Sequence, residues 1–148
     1  MADIVVLGAG LGGTIMAYEL ADKLGKQHKI SVVNNGSTYQ FVPSNPWVAV
    51  GWRSEEATSV DLVPVFAKRN IGLHAQGAKR VHPGEKRIEL NDGTSISYDY
   101  LVIATGPELA FDEIEGFGPE ANTQSVCHVS HALQAKEAFD RLVANPGP

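Results

Sequence analysis

Ile4-Val5-Val6-Leu7 runs directly into Gly8-Ala9-Gly10-Leu11-Gly12-Gly13. An amphipathic stretch then reaches Gly25, and Ile30-Ser31-Val32-Val33-Asn34-Asn35 closes the unit. An apolar run, a glycine turn, a helix and a second apolar run spell a βαβ unit that binds a dinucleotide. Gly8 is expected to make the tight turn out of the first strand. Gly10 would let backbone N–H groups approach a pyrophosphate, and Gly13 would let the helix lie close on the sheet. The pyrophosphate would then sit on the positive end of the helix. A plain βα turn has no need of all three glycines at this spacing. One position departs from the usual fingerprint. The second strand ends in Asn34 and Asn35, where an acidic residue ordinarily holds a ribose hydroxyl. An amide can make that hydrogen bond, though without charge assistance. No arginine adjoins the pair in sequence, so a 2′-phosphate is not expected.

The 148 residues amount to one domain's worth of chain, with 43% hydrophobic and 20% charged residues. That is enough for a real core. A net charge of −5 and the lack of any Lys/Arg run speak against a nucleic-acid surface. No apolar run approaches the ~20 residues of a membrane span. The start, Met1-Ala2-Asp3, has no basic region ahead of the first strand, so no secretory signal is expected. A single cysteine excludes an internal disulfide framework and fits a reducing compartment.

Residues 36–53 read as an unusual loop with both tryptophans, Tyr39, Phe41, Pro43 and Pro46. Stiffened aromatics suit a wall for a flat ligand, and equally a plug over a sheet edge. Ser59 or Asp61 could cap a short helix through Val65, Phe66 and Lys68, with Pro64 in its first turn. Gly72-Leu73-His74-Ala75 reads as a buried parallel strand. Residues 78–81, 87–90 and 95–97 are separated by Pro83-Gly84 and Asn91-Asp92-Gly93, which predicts a three-stranded antiparallel meander. Tyr98 to Pro107 then forms a strand ending in Ala104-Thr105-Gly106, with its carboxyl end toward the nucleotide crevice. A final helix is expected from Ser130 as N-cap, with Ala132, Leu133, Ala135, Phe139, Leu142 and Val143 as a core-packing stripe. Asn145-Pro146-Gly147-Pro148 reads as a linker.

The N-terminal glycine fingerprint, the meander and Tyr98-Asp99-Tyr100-Leu101-Val102-Ile103-Ala104-Thr105-Gly106 together resemble the FAD half of two-dinucleotide-binding-domain flavoproteins. Tyr39-Gln40-Phe41-Val42-Pro43-Ser44-Asn45-Pro46-Trp47-Val48 and Gln124-Ser125-Val126-Cys127-His128-Val129-Ser130-His131-Ala132 narrow this. They resemble the sulfide:quinone oxidoreductases, and the likeness covers the whole chain. It implies an α/β, Rossmann-like FAD/NAD(P)-binding domain over residues 1–148, a parallel sheet with a crossover three-stranded β-meander. It also implies an FAD enzyme that oxidises sulfide to persulfide or polysulfide sulfur and reduces a membrane quinone.

Carried onto this chain, the resemblance has Gly8, Gly10 and Gly13 hold the FAD pyrophosphate. Asn34 or Asn35 approaches the adenosine ribose, and the backbone at Ala78 the adenine edge. Pro43, Ser44 and Asn45 line the isoalloxazine ring, with Thr105, Gly106 and Pro107 beneath the cofactor. Cys127 matches an ancillary cysteine of the family and His131 a histidine near the sulfide side, which makes these the candidate catalytic pair. The central cysteines and the membrane-binding helices of the family lie beyond residue 148. The resemblance therefore implies the N-terminal portion of a longer flavoprotein, incomplete for catalysis by itself. It would sit in the cytoplasm or at a membrane periphery, and a homo-oligomer is compatible with it.

Cys127, His128 and His131 also suggest a metal, but a closed structural site needs a fourth ligand and none is supplied, so no metal is assigned. Cys127 itself can be read as an inert small hydrophobe or as a thiolate activated at a helix start beside His128. Two enzyme alternatives share the scaffold: the flavoprotein subunit of a flavocytochrome-type sulfide dehydrogenase, and a type II NADH:quinone oxidoreductase. A non-catalytic nucleotide-binding module is the alternative from another class.

Overall fold

The computed structural model describes residues 1–147; the last residue of the expected linker, Pro148, lies outside the described residues. The chain folds as two compact units, Met1–Tyr39 with Asp61–Pro107, and Gln40–Val60 with the segment from Glu108 onward.

The first unit is built on β1 (Asp3–Leu7), α1 (Leu11–Leu24) and β2 (Lys29–Val33). These are the three elements that the opening residues predict. Two further strands, β5 (Gly72–His74) and β9 (Tyr100–Ile103), complete a parallel sheet in the order β5-β2-β1-β9. Register is set from Asp3 opposite Lys29 to Leu7 opposite Val33, and from Ile4 opposite Tyr100 to Leu7 opposite Ile103. Side chains of period two divide β1 between two cores. Ile4 and Val6 pack with Ala17 of α1 and with Leu62 and Phe66 of α3 (Leu62–Ala67). Val5 and Leu7 face the other way, toward Ile88, Leu90 and Tyr98. Those residues belong to the meander of β6 (Ala78–His82), β7 (Arg87–Leu90) and β8 (Ser95–Ser97) and to the segment leaving it. The meander is antiparallel and agrees with the expected strands to within one residue. Asp61, not Ser59, caps α3: its carboxylate accepts from the Val63 N–H at 3.0 Å.

His74 ends β5 at half-burial, and loss of hydration, with Lys29 nearby, pushes its pKa below the ordinary imidazole value. The folded state therefore prefers the neutral ring, whereas the unfolded chain binds the proton more readily. The stability this contributes is complete above pH ~6.5 and is lost as pH falls from there through the folded value. His74→Leu is expected to flatten that dependence, measured as urea midpoints at pH 5 and pH 8. A wild-type midpoint indifferent to pH over that window would contradict it.

The strands β3 (Thr38–Gln40) and β4 (Ser59–Asp61) pair as a two-stranded sheet. The second unit corrects two expectations. Residues 42–49 are not a loop: Val42–Ser44 form a 3₁₀ turn and α2 spans Asn45–Ala49. Pro43 and Pro46 each stand in a first helical turn, where the missing N–H costs nothing and the fixed φ favours the helix. The last helix, α4 (Val129–Ala144), begins after His128, so Ser130 lies inside it and is not the cap. Only part of its stripe is core. Ala132 and Ala135 pack on Val48 and Ala49 of α2, small side chains that let the helices approach. Leu133, Phe139, Leu142 and Val143 stay exposed.

Candidate functional site

The glycine turn is shaped by two collisions that only glycine avoids. A Cβ at Gly13 would lie 1.9 Å from the Gly8 carbonyl oxygen, so the first turn of α1 rests directly on the turn before it. Gly8 has φ +100, and a Cβ there would come within 2.4 Å of the Ala104 oxygen. The first glycine is thus needed for its dihedral and for its contact with the backbone at Ala104, just after β9. Gly10 is different. It is exposed, adopts φ −67 and ψ −170, and a Cβ on it would meet nothing within 4 Å.

No side chain caps the first turn of α1, and no acidic residue lies in it. The start of a 14-residue helix is therefore left with free N–H donors and an uncompensated positive end. Gly10 and Gly12 present bare backbone there, with open space where side chains would be. The chemistry such a surface accepts is an anion approaching closely, as a pyrophosphate does.

Beside it, at the carboxyl ends of β1 and β2, is a cavity of about 380 Å³. Gly8, Asn34, Asn35, Ala78 and Thr105 all line it, which brings together five of the residues singled out in the sequence. Leu7, Val33 and Val81 supply apolar wall, and Lys79 and Arg80 supply charge. The crevice outside the carboxyl ends of parallel strands is where open α/β sheets take their ligands. Its apolar sides with a few polar groups suit a flat heterocycle joined to a sugar. Gly10, Gly13, Gly106 and Pro107 do not line it. Gly13 is buried under the turn, while Gly106, at φ +76, and Pro107 continue exposed from Thr105.

The two asparagines have separate tasks. Asn34 Oδ1 accepts from the Ala9 N–H at 3.0 Å, and its Nδ2 donates to the Gly36 oxygen at 3.0 Å. Its amide thus ties the end of β2 to the glycine turn. Asn35 is exposed at the cavity, and its backbone is engaged by a bridge to Gln76 and by the Asn34 amide, which donates to its oxygen at 3.4 Å. Of the two candidates for a ribose hydroxyl, Asn35 has the uncommitted amide.

The other candidate residues belong to the second unit. Pro43 is exposed, whereas Ser44 and Asn45 are buried. Asn45 Nδ2 donates to the Val126 oxygen at 2.9 Å, and its Oδ1 accepts from Gln40 Nε2 at 3.3 Å. This amide fixes the segment that leads to Cys127. Asn45→Ala would leave the Val126 carbonyl without its partner and is expected to cost about 1–3 kcal/mol of stability. Chemical denaturation checks it; an unchanged midpoint would mean the Val126 carbonyl finds another donor.

Cys127 is free and exposed, and its N–H donates to Ser125 Oγ at 3.2 Å. His128 is the residue before α4, and the rings of His128 and His131 meet edge to face with centroids 5.2 Å apart. Phe111 covers the His131 ring at 5.8 Å, and His131 Nδ1 is buried with no hydrogen-bond partner. Among the described residues no group of three His, Cys, Asp or Glu side chains is placed to share a metal ion. No helix among them is long and apolar enough to cross a membrane.

Lys79, Arg80 and Val81 were not foreseen as site residues. The meander was legible, but the place of β6 against the crevice depends on tertiary packing, which leaves no local mark.

Residues 2–144 match the family described as pyridine nucleotide-disulphide oxidoreductase. The chain is 39% identical over 145 residues to the sulfide-quinone reductase of Aquifex aeolicus, covering 98% of this chain and 33% of that protein. It is 31% identical over 120 residues to the type II NADH:quinone oxidoreductase of Haemophilus influenzae, covering 72% of this chain and 27% of that one. The solved structure of the sulfide:quinone oxidoreductase from Aquifex aeolicus superposes with a TM-score of 0.89 at 38% identity, covering 100% of this chain and 34% of that one. The chain therefore spans about a third of the length of the Aquifex aeolicus protein.

Proposed function

The chain belongs to the pyridine nucleotide-disulphide oxidoreductase family, and from that membership we propose that residues 1–148 are the FAD-binding portion of a sulfide:quinone oxidoreductase. The observation that carries the choice is the likeness to the Aquifex aeolicus reductase, which runs through both units, from the glycine turn to Cys127. When bound, FAD supplies the two-electron acceptor that stands between sulfide and a quinone.

The residues fit that cofactor at its nucleotide end. Bare backbone at Gly10 and Gly12, over the uncapped start of α1, receives the pyrophosphate; Gly8 and Gly13 hold that surface in shape. Asn35 turns its amide to the ribose, and the backbone at Ala78 borders the adenine. Thr105, Gly106 and Pro107 form the rim that follows β9. The family likeness assigns Pro43, Ser44 and Asn45 to the isoalloxazine ring; of these Pro43 is exposed, and Ser44 and Asn45 are buried. Cys127 contributes an accessible thiol to the sulfur chemistry, and His131 a ring nitrogen without a partner. A lone thiol cannot close a disulfide, so that step needs cysteines from the remaining length that the relatives possess. Contact with quinone and with a membrane surface also belongs to that remainder.

The likeness to the Haemophilus influenzae enzyme keeps type II NADH:quinone oxidoreduction as the second reading. Anaerobic addition of each donor to the FAD-loaded longer protein, of which these residues are the proposed N-terminal portion, separates them. Bleaching of the flavin absorbance by sulfide, and its return on adding a soluble quinone, is the expected result. Bleaching by NADH and not by sulfide would establish the second reading. Bound flavin that answers to neither donor would leave a nucleotide-binding module.

A further inference from the structure

The cavity beside the glycine turn contains two cations and no carboxylate. Lys79 and Arg80 are neighbours in β6, where regular alternation would send them to opposite faces. The register breaks between Ala78 and Arg80. Ala78 pairs with Leu90 and Arg80 with Glu89, so one residue of β7 faces two of β6. A bulge of this kind re-aims the side chains around it. It lets Ala78 and Val81, three apart, both pack on the core that holds Ile88 and Leu90. The two cations between them line the cavity together with Val81.

They are not equivalent. Lys79 Nζ donates to Glu89 Oε1 at 2.8 Å, and this bond holds the Glu89 carboxyl below the usual carboxylate range. Among the described residues Arg80 makes no side-chain hydrogen bond and no ion pair, although acidic side chains lie on the adjoining strand and turns. Arg80 lines a slot with apolar walls from Leu7, Val33 and Val81. The adenosine end of that slot lacks the carboxylate that ordinarily anchors a ribose, since Asn35 is neutral.

We propose that Arg80 is an adenine-recognition residue, its planar guanidinium stacked on the base of the nucleotide that the cavity holds. The inference rests on reading this cavity as the adenosine end of the FAD site. A cation over an aromatic face is attracted by the ring's electron density, more so when the apolar walls exclude water. Arginine does this as a flat group, which lysine cannot imitate. The stacking replaces the anchoring that a ribose-binding carboxylate would provide.

The test is calorimetric titration of the wild type, Arg80→Met and Arg80→Lys with 5′-ADP and with UDP. Arg80 is exposed, and circular dichroism confirms that each variant is folded. The wild type is expected to prefer ADP to UDP. Arg80→Met should weaken ADP about ten-fold and narrow that preference, with no recovery in Arg80→Lys. Unchanged ADP affinity in Arg80→Met would overturn the assignment. So would equal losses for ADP and UDP, which make Arg80 a phosphate contact, or full recovery by lysine, which makes it a point charge. A wild type that binds neither nucleotide would instead overturn the adenosine reading of the cavity, and the inference with it.

Discussion

Gly13→Ala should leave little or no folded protein. The added methyl carbon would lie 1.9 Å from the Gly8 oxygen, and that oxygen belongs to backbone on which the sheet depends. Gly8 is held from both sides: its N–H donates to the Val33 oxygen at 2.8 Å, and Ala104 closes against it. Neither the helix nor the turn can retreat without opening the cluster in which Ala9 and Ala17 are buried against Val6 and Val32. Overpacking a well-fitted core costs typically ~1–3 kcal/mol where side chains can adjust, and a backbone collision belongs above that range. A loss of more than about 3 kcal/mol is a large share of a small domain's stability. Thermal and urea denaturation measure it. A variant within about 1 kcal/mol of wild type would mean that α1 does not pack on the turn as described.

Gly10→Ala should do the opposite: keep the fold and lose the nucleotide. Its backbone angles suit any residue, and nothing in the protein lies within 4 Å of the added carbon. At a helix N-cap the exchange of glycine for alanine costs no more than about 1 kcal/mol. A methyl group there would stand between the α1 N–H groups and a pyrophosphate that must approach bare backbone. The expected loss is on the order of a hundred-fold in FAD or ADP affinity, with the unfolding midpoint nearly unmoved. Equal affinity in the variant would move the pyrophosphate away from this turn. Gly13 and Gly10 thus serve the same motif for different reasons, one internal to the fold and one directed at a ligand.

Local chemistry made most of the first unit legible. Apolar alternation in Ile4–Leu7, the glycines after it, and the Pro83-Gly84 and Asn91-Asp92-Gly93 turns are signals that a few adjacent residues carry by themselves. Where expectation and structure part, the deciding contacts come from elsewhere. Pro43 and Pro46 read as loop formers, but each falls in a first helical turn and starts a helix. The apolar stripe of α4 read as core, but only Ala132 and Ala135 of it are buried, packed on α2, because a five-residue helix covers a short length of it. Nothing in the sequence marks the division at Tyr39, Val60 and Pro107 into two units.

The site shows the same boundary. Gly8, Asn34 and Asn35 could be named in advance because the glycine motif fixes where β1 and β2 end, while Ala78 and Thr105 came from the family resemblance. The separation of Asn34 from Asn35 could not, since it rests on one amide reaching the Ala9 N–H. Arg80 was further out of reach. Its place depends on a bulge, and a bulge exists only in the pairing of two strands.

The most direct test of the account is the absorption spectrum of the folded protein, as isolated and after addition of FAD and removal of the excess. Flavin bands should stay with the protein and be displaced by excess ADP, since both ligands use the glycine turn and the adjoining cavity. A folded protein that retains no flavin, and whose stability neither FAD nor ADP raises, would contradict it.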